Sequence, residues 1–392
     1  MSAHSCIGGD IKMKPLWLAA LTLFAFPMAS VFAQKDDDEL LKRLARGDRQ
    51  AAAMVIKQGE TIFPALAKLL ATQPRDDYQS LIVYAAAEIA RDIGPKAKAA
   101  VPTLAMLMKS QDKAVASDSA RALGYIGADA TPAVIKALRA CENEEQAIYP
   151  VRALRNIGPP AKESASAILD VLKKTANPHF RVACVDALGA IGPGGKDTVE
   201  ELLKLGKDRK AQHVVHVIVA LGSQGSDAKA AIPFLVEVMK DAPEPHLRVH
   251  ALDALARISP SSKDLSDAVA RMLDQPHVPK IMILESLAKG GAVSKEMLKS
   301  IEEMLRDKDV AVRLHAAMIV GKANRDHAAV VSILIESLSH RDAKTRRQAA
   351  ETIGVVRPTD EAVIEALQNR AKDADPAVRQ AVADALAKFK KK

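Results

Sequence analysis

The chain has little that would concentrate chemistry at one point. Aromatic residues are 3% of its 392 residues, so the core must be built from Ala, Leu, Ile and Val, with few rings on which bases could stack. Cysteine occurs only at Cys6, Cys141 and Cys184, which excludes a disulfide framework. The apolar stretch from Leu16 to Phe26 falls well short of the roughly 20 residues that span a bilayer, and nothing later is more hydrophobic. HExxH, GxSxG and CxxCH motifs are absent, which removes the common zinc-protease, serine-hydrolase and c-type haem readings. Gly192-Pro193-Gly194-Gly195-Lys196 approaches a phosphate loop. It has Ala190 where the first Gly is needed and Asp197 where Ser or Thr should bind magnesium, so it reads as a turn.

The start of the chain reads as an export signal. Lys12 and Lys14 precede the apolar run, and Val31 and Ala33 are small enough for signal peptidase, giving cleavage after Ala33. Met13 is a natural alternative start, and no lipid-anchoring cysteine stands at the cleavage point. The expected organisation is a signal peptide over 1–33, a short acidic linker over 34–39 and a single domain over 40–392. An exported chain would be periplasmic or secreted, with no stable membrane insertion once processed. Net charge is +8, and about +7 without the leader, a mild excess that bears on solubility and weak attraction to anions rather than on fold. Cys141 and Cys184 are expected as independent thiols, although an oxidising compartment would permit a bridge.

What the chain has in abundance is a repeat. Asp309–Ala323, Asp342–Val356 and Asp375–Phe389 carry one pattern, stepping by 33 residues at both the Asp and the Arg four positions later. A fixed period in this range marks stacked helical units. Each unit shows a first helix, A, with an early proline (Pro102, Pro132, Pro233), and a second helix, B, with apolar residues at helical spacing. Glycine after Ile93, Ile126, Ile157 and Ile191 should end helix B in the left-handed cap conformation. Two copies depart from the pattern. Pro150 should delay or kink its B helix, and 241–245 should form a longer loop, since Ala220 and Ala254 are spaced wider than the period.

The pattern GP-x-A-x-x-A-V-P-x-L before the turn and D-x-x-V-R-x-x-A-A-x-A-L-G-x-I-G after it resembles the HEAT-repeat family, in particular the subclass shared with phycobilisome lyases. The resemblance implies an all-α fold: a right-handed α-α superhelix, or HEAT-like solenoid, of about ten helix pairs. It says little about chemistry, because such repeats serve unrelated functions. The His-Glu dipeptides that bind metal in HEAT-fold hydroxylases are absent, for none of the ten histidines precedes Glu.

The Asp309/Arg313, Asp342/Arg346 and Asp375/Arg379 pairs, with Asn177/Arg181 as a weaker copy, offer two readings. One is a basic ladder for an acidic partner. The favoured one is structural: the acid caps helix B and pairs with the Arg of its own or the next repeat. His216, His250 and His315 share one position of helix B. Adjacent helices stand about 10 Å apart, so these histidines are read as surface residues rather than metal ligands.

One turn further come Arg121, Arg152, Asp253 and Glu285, then Tyr125, Asn156, Arg257, Lys289 and Lys322. Positions i, i+3 and i+7 share a helix face. In HEAT solenoids the B helices line the inner curve, so these residues would form a polar stripe there, cationic with an aromatic in its early part. The alternative is a merely solvated face.

The expected function is a non-catalytic scaffold that binds a protein partner along the concave face, as a monomer and without a cofactor. Chromophore attachment of the phycobilisome-lyase kind is the enzyme-like alternative, and export argues against it. Nucleic-acid binding, as in HEAT-like DNA glycosylases, needs a basic track and stacking aromatics that this chain lacks.

Overall fold

The computed structural model describes residues 37–72, 78–208, 213–275, 279–290 and 293–390. The expected leader lies outside them. Asp37, Asp38 and Glu39, expected in a linker, instead open a helix over 37–45, where carboxylates complement the helix dipole. All the regular structure among the described residues is helical, with no strand. Where a single domain over 40–392 was expected, the chain divides into two compact units, one ending at Ala153 and the other starting at Leu154.

Both units are built from A and B helices in alternation. In the first unit Arg49–Gln58, Gln79–Ile93 and Lys113–Ile126 are B helices, with Phe63–Thr72, Val101–Leu107 and Thr131–Arg139 as A helices between and after them. In the second, the B helices are Pro178–Ile191, Val214–Ser223, Pro245–Ile258, Lys280–Gly290, Val310–Ala323, Ala343–Val356 and Pro376–Lys390. Within a unit each B helix packs on the next B helix and on its own A helix. The layer between them is aliphatic, as with Leu104, Leu107, Leu123 and Ile126, or Leu235, Leu252, Leu255 and Leu265, all essentially inaccessible to solvent. Each such side chain contributes about 1.5–3 kcal/mol by leaving water, which lets a chain so poor in aromatics hold a core.

Helix B begins where a short acceptor side chain meets its first free N–H groups. Asp48, Asp112, Asn177, Asp309 and Asp342 each accept from a backbone N–H within the following three residues. After Ile93, Ile126 and Ile191 it stops at glycine, but not in the left-handed helical cap that was expected, whereas later B helices end at Ser259, Asn324 or Arg357. Gly94 has φ 55° and ψ −125°, and Gly192 has φ 80° and ψ −144°. That combination lies outside the left-handed helical basin and excludes a side chain, so the chain turns sharply into the next unit. A 3-10 turn beginning at Gly94, Gly127 or Gly225 leads into an A helix whose second residue is Pro102, Pro132 or Pro233, where no intrahelical N–H is lost.

B helices approach each other closely through small residues. A Cβ placed on Gly222 would stand 2.8 Å from Cα of Ala254, and one on Gly189 would stand 3.2 Å from Cα of Ala220.

One local expectation is narrowed and another corrected. Of the two outcomes expected for the helix carrying Pro150, the late start is excluded, for it runs from Glu144 to Ile157 with the proline inside. Asn143 accepts from the Gln146 N–H at 3.0 Å and fixes that start despite the proline downstream. The connection near 241–245 is not long either. Only residues 242–244 separate Ile232–Asp241 from Pro245–Ile258, against five between Ala165–Leu172 and Pro178–Ile191. The residue that stretches the spacing is therefore not in that loop. Cys141 and Cys184 are both thiols, the first half-buried and donating to the Ala137 carbonyl at 3.2 Å, the second fully buried.

Candidate functional site

The Asp/Arg series resolves into two separate tasks. Asp309, Asp342 and Asp375 accept from the backbone N–H groups that open their own B helices, at 2.8 to 3.3 Å. The arginines turn away from those aspartates. Arg313, Arg346 and Arg379 donate to the carbonyls of Asp307, His340 and Asp373, each six residues earlier in the turn between A and B. Arg181 and Arg248 do the same to Thr175 and Ala242. A guanidinium with five donors suits this, because the turn leaves carbonyls without intrahelical partners.

The same side chains reach forward to the next repeat. Arg346 makes a two-pronged bond to Asp373 at 2.8 and 2.7 Å, with the Asp373 side chain 2% exposed. Lys280 meets Asp307 at 2.7 Å, and Arg248 donates to the Gln275 side chain. Every rung spans 27 residues. The acid of the rung is thus Asp373 or Asp307, two positions before the capping Asp375 or Asp309, and not the capping residue. Hydrogen bonds from Arg346 above all hold the Asp373 carboxyl below its ordinary value, against the opposing effect of burial. Arg313 lacks its rung, for His340 stands 27 residues on, and it reaches Glu336 at 3.4 Å instead.

Arg248 and Lys280 escape a search for Asp/Arg pairs because Glu244 and Pro276 stand four positions before them. The 33-residue period, carried back from Arg313, lands on Lys280 and then on Leu247, one residue short of Arg248.

The stripe positions on helix B also bond across repeats. In the first unit Glu88 sits between Arg91 at 2.8 Å and Arg121 at 2.7 Å, and Arg121 continues to Asp118 at 3.0 Å. The Arg121 guanidinium also lies 5.7 Å from the centre of the Tyr84 ring. Arg121 is therefore a neutralised link in a network, and the early stripe is not simply cationic. Tyr125 and Arg152 are exposed.

In the second unit His216 Nδ1 lies 2.6 Å from Asp186, and Asp253 pairs with Arg257 at 2.8 Å and accepts from Ser286 at 3.3 Å. His315 Nδ1 donates to the Ala311 carbonyl at 2.7 Å, while Nε2 faces Glu285 at 3.5 Å and Gln348 at 3.3 Å. His250 lies edge-on to His246 with ring centres 6.4 Å apart. Burial first, and His246 second, lower its pKa against the pull of Asp253. Asn156 and Lys322 are exposed, and the Lys289 side chain lies outside the described residues. The Gly192–Lys196 segment is a junction turn: Gly194 N–H donates to the buried Gln224 side chain at 2.8 Å, and that side chain also donates to Leu188 O at 3.2 Å.

A further signal was not singled out in the sequence. Large apolar side chains left exposed in the first unit are Met54, Tyr84 and Tyr125 on B helices, Tyr78 just before one, and Met106 on an A helix. In the second unit they are Val219, Met282 and Val355, all on B helices. Apolar groups interleaved with charge are the composition of a recognition surface. Two hollows lie on this face in the C-terminal repeats. One, about 600 Å³, is bounded by Glu285, His315, Gln348 and Glu351. The next, about 400 Å³, has a floor of Gly354, Val355, Ala381 and Ala385 between Glu351 and Lys388.

No curated protein matches the chain. Among solved structures, an engineered protein is 20% identical over 91% of this chain and 99% of its own, with a TM-score of 0.37. Human deoxyhypusine hydroxylase in complex with glycerol is 18% identical over 68% of this chain and 97% of its own, with a TM-score of 0.27. Importin beta is 13% identical with a TM-score of 0.53, matching 86% of this chain, which spans about half (54%) of that protein. At that identity the likeness concerns fold alone. Residues 331–392 match the family described as HEAT repeats, so the C-terminal pairs are HEAT repeats within an all-α, solenoid-type fold.

Proposed function

We propose that this protein is a non-catalytic scaffold that binds a protein partner along its B-helix face, the inner, concave face of HEAT-type stacks. The observation that carries the reading is the distribution of exposed large apolar side chains. Among the described residues of the second unit the exposed ones, Val219, Met282 and Val355, lie on B helices among charged residues. Exposed apolar groups set among charges supply what the core of a protein interface needs. Export places the partner in the periplasm or outside the cell, and rests on the Lys12–Ala33 leader pattern.

The test is capture of partners from the native exported fraction. Val219→Glu with Met282→Glu should reduce recovery of a specific partner at least tenfold, while Met106→Glu on an A helix should leave it intact. A companion pair, Arg121→Glu with Arg152→Glu, probes the early stripe. Equal recovery with all three variants would overturn the reading. Sequencing the N-terminus of the exported protein checks the leader, with Gln34 as the expected first residue.

A further inference from the structure

We infer that the two hollows on the C-terminal B helices form one recognition groove for an extended peptide segment, taking a Lys or Arg side chain in the first hollow and an aliphatic or aromatic one in the second. The inference rests on the scaffold reading and names the partner's chemistry.

The first hollow is acidic on balance. Glu285, Asp309, Asp342 and Glu351 border it, against Lys344 and Arg347. Asp342 is held as a carboxylate by hydrogen bonds from Thr345, side chain and backbone, so it stays charged well below neutral pH. Glu285 is 47% exposed and has only the distant His315 contact at 3.5 Å, and Glu351 is 56% exposed beside Arg347 at 3.4 Å. Two carboxylates thus reach into solvent on either side of a cavity of about 600 Å³, which accommodates a long cationic side chain.

The second hollow has another character. Its floor is Gly354, Val355, Ala377, Ala381 and Ala385, with Val355 42% exposed. Ala385 and Gly354 are so close that a Cβ on the glycine would stand 3.2 Å from Cα of Ala385, so the floor is backbone and methyl groups. Around it Arg347 and Lys388 balance Glu351 and Asp384. An uncharged, apolar side chain is what such a site takes.

The hollows are neighbours that share Arg347 and Glu351, an ion pair at 3.4 Å that borders both. The first is bordered by three successive B helices and the second by the last two. With B helices about 10 Å apart, their centres are separated by about 15 Å. An extended chain covers that in four or five residues at about 3.3 Å each. A helical ligand would need about ten residues for the same distance.

The experiment is selection of phage-displayed random dodecapeptides on the full chain. Enriched peptides should pair Lys or Arg with Leu, Ile, Met or Phe at a separation of four or five, in either order. Glu285→Gln with Glu351→Gln should weaken a selected peptide at least tenfold, and Val355→Asp should do the same, each variant keeping wild-type helicity by circular dichroism. Charge reversal, Glu285→Lys with Glu351→Lys, should shift selection toward acidic peptides. The inference is overturned if selection yields no spaced pair, or if selected peptides bind these variants as well as wild type. Partner capture sensitive to Val219→Glu with Met282→Glu but not to the C-terminal variants would overturn this groove alone and leave the scaffold reading standing.

Discussion

At the scale of single residues, the most consequential side chain is one that breaks the ladder. His340 stands where the neighbouring copies have Asp307 and Asp373, and it leaves Arg313 without the bond that Lys280 and Arg346 make. Its ring accepts the Asp342 N–H at 3.1 Å, a task that Asp307 and Asp373 also perform for Asp309 and Asp375. His340→Asp should keep that bond and add a rung, stabilising the protein by about 1 kcal/mol. A urea midpoint unchanged or lowered by the substitution would refute the rung argument.

Asp373 gives the converse prediction. Its folded pKa is depressed below the ordinary 3.8, so its contribution is present above that value and disappears as pH falls through the folded value. Wild-type stability should therefore drop below about pH 4 more steeply than that of Asp373→Asn, while near neutral pH the variant should be weaker by about 1.5–3 kcal/mol. Parallel urea titrations at pH 3 and pH 7 would show it.

At the scale of helices, close backbone approach between B helices sets the constraint. Gly222→Ala gains up to about 1 kcal/mol in helix propensity, yet its new methyl meets Ala254 Cα at 2.8 Å. Overpacking of that kind costs about 1–3 kcal/mol, so a net loss of up to about 2 kcal/mol is expected. Pairing it with Ala254→Gly should recover part of the loss, and thermal melts of the four combinations would reveal the coupling. Additive effects would show that the two helices do not press on each other there.

Helix periodicity was legible in the sequence for a plain reason: apolar spacing reports the buried face directly. Glycine and proline also marked the junctions correctly. They did not reveal the backbone region that Gly94 and Gly192 occupy, because a tight turn can be made in more than one way.

At the scale of the whole molecule, repeats that contact only their neighbours should not unfold as one body. Calorimetry of the full chain should show more than one transition, or a transition broader than its enthalpy requires. A single two-state peak, unaltered when a terminal repeat is removed, would contradict it. Division into units ending at Ala153 and starting at Leu154 was not read from the sequence, although it falls four residues after Pro150. A proline takes one N–H from the ladder of its own helix, and its wider effect depends on packing that the sequence does not display.

By itself, the sequence determined the class of fold, the period and the placement of the A and B helices, because these follow from local spacing of apolar, capping and turn residues. It also set the identity of the charges available. Which charge meets which was decided only by the tertiary structure. Arg346 lies four residues from Asp342 yet binds Asp373, and Arg121 is neutralised by Glu88 33 residues earlier. Long side chains choose partners by where the next helix puts them, and that distance is a property of the stack. The exposed valines and methionine of the B helices became visible in the same way: burial is a fact about neighbours, and neighbours exist only once the chain has folded.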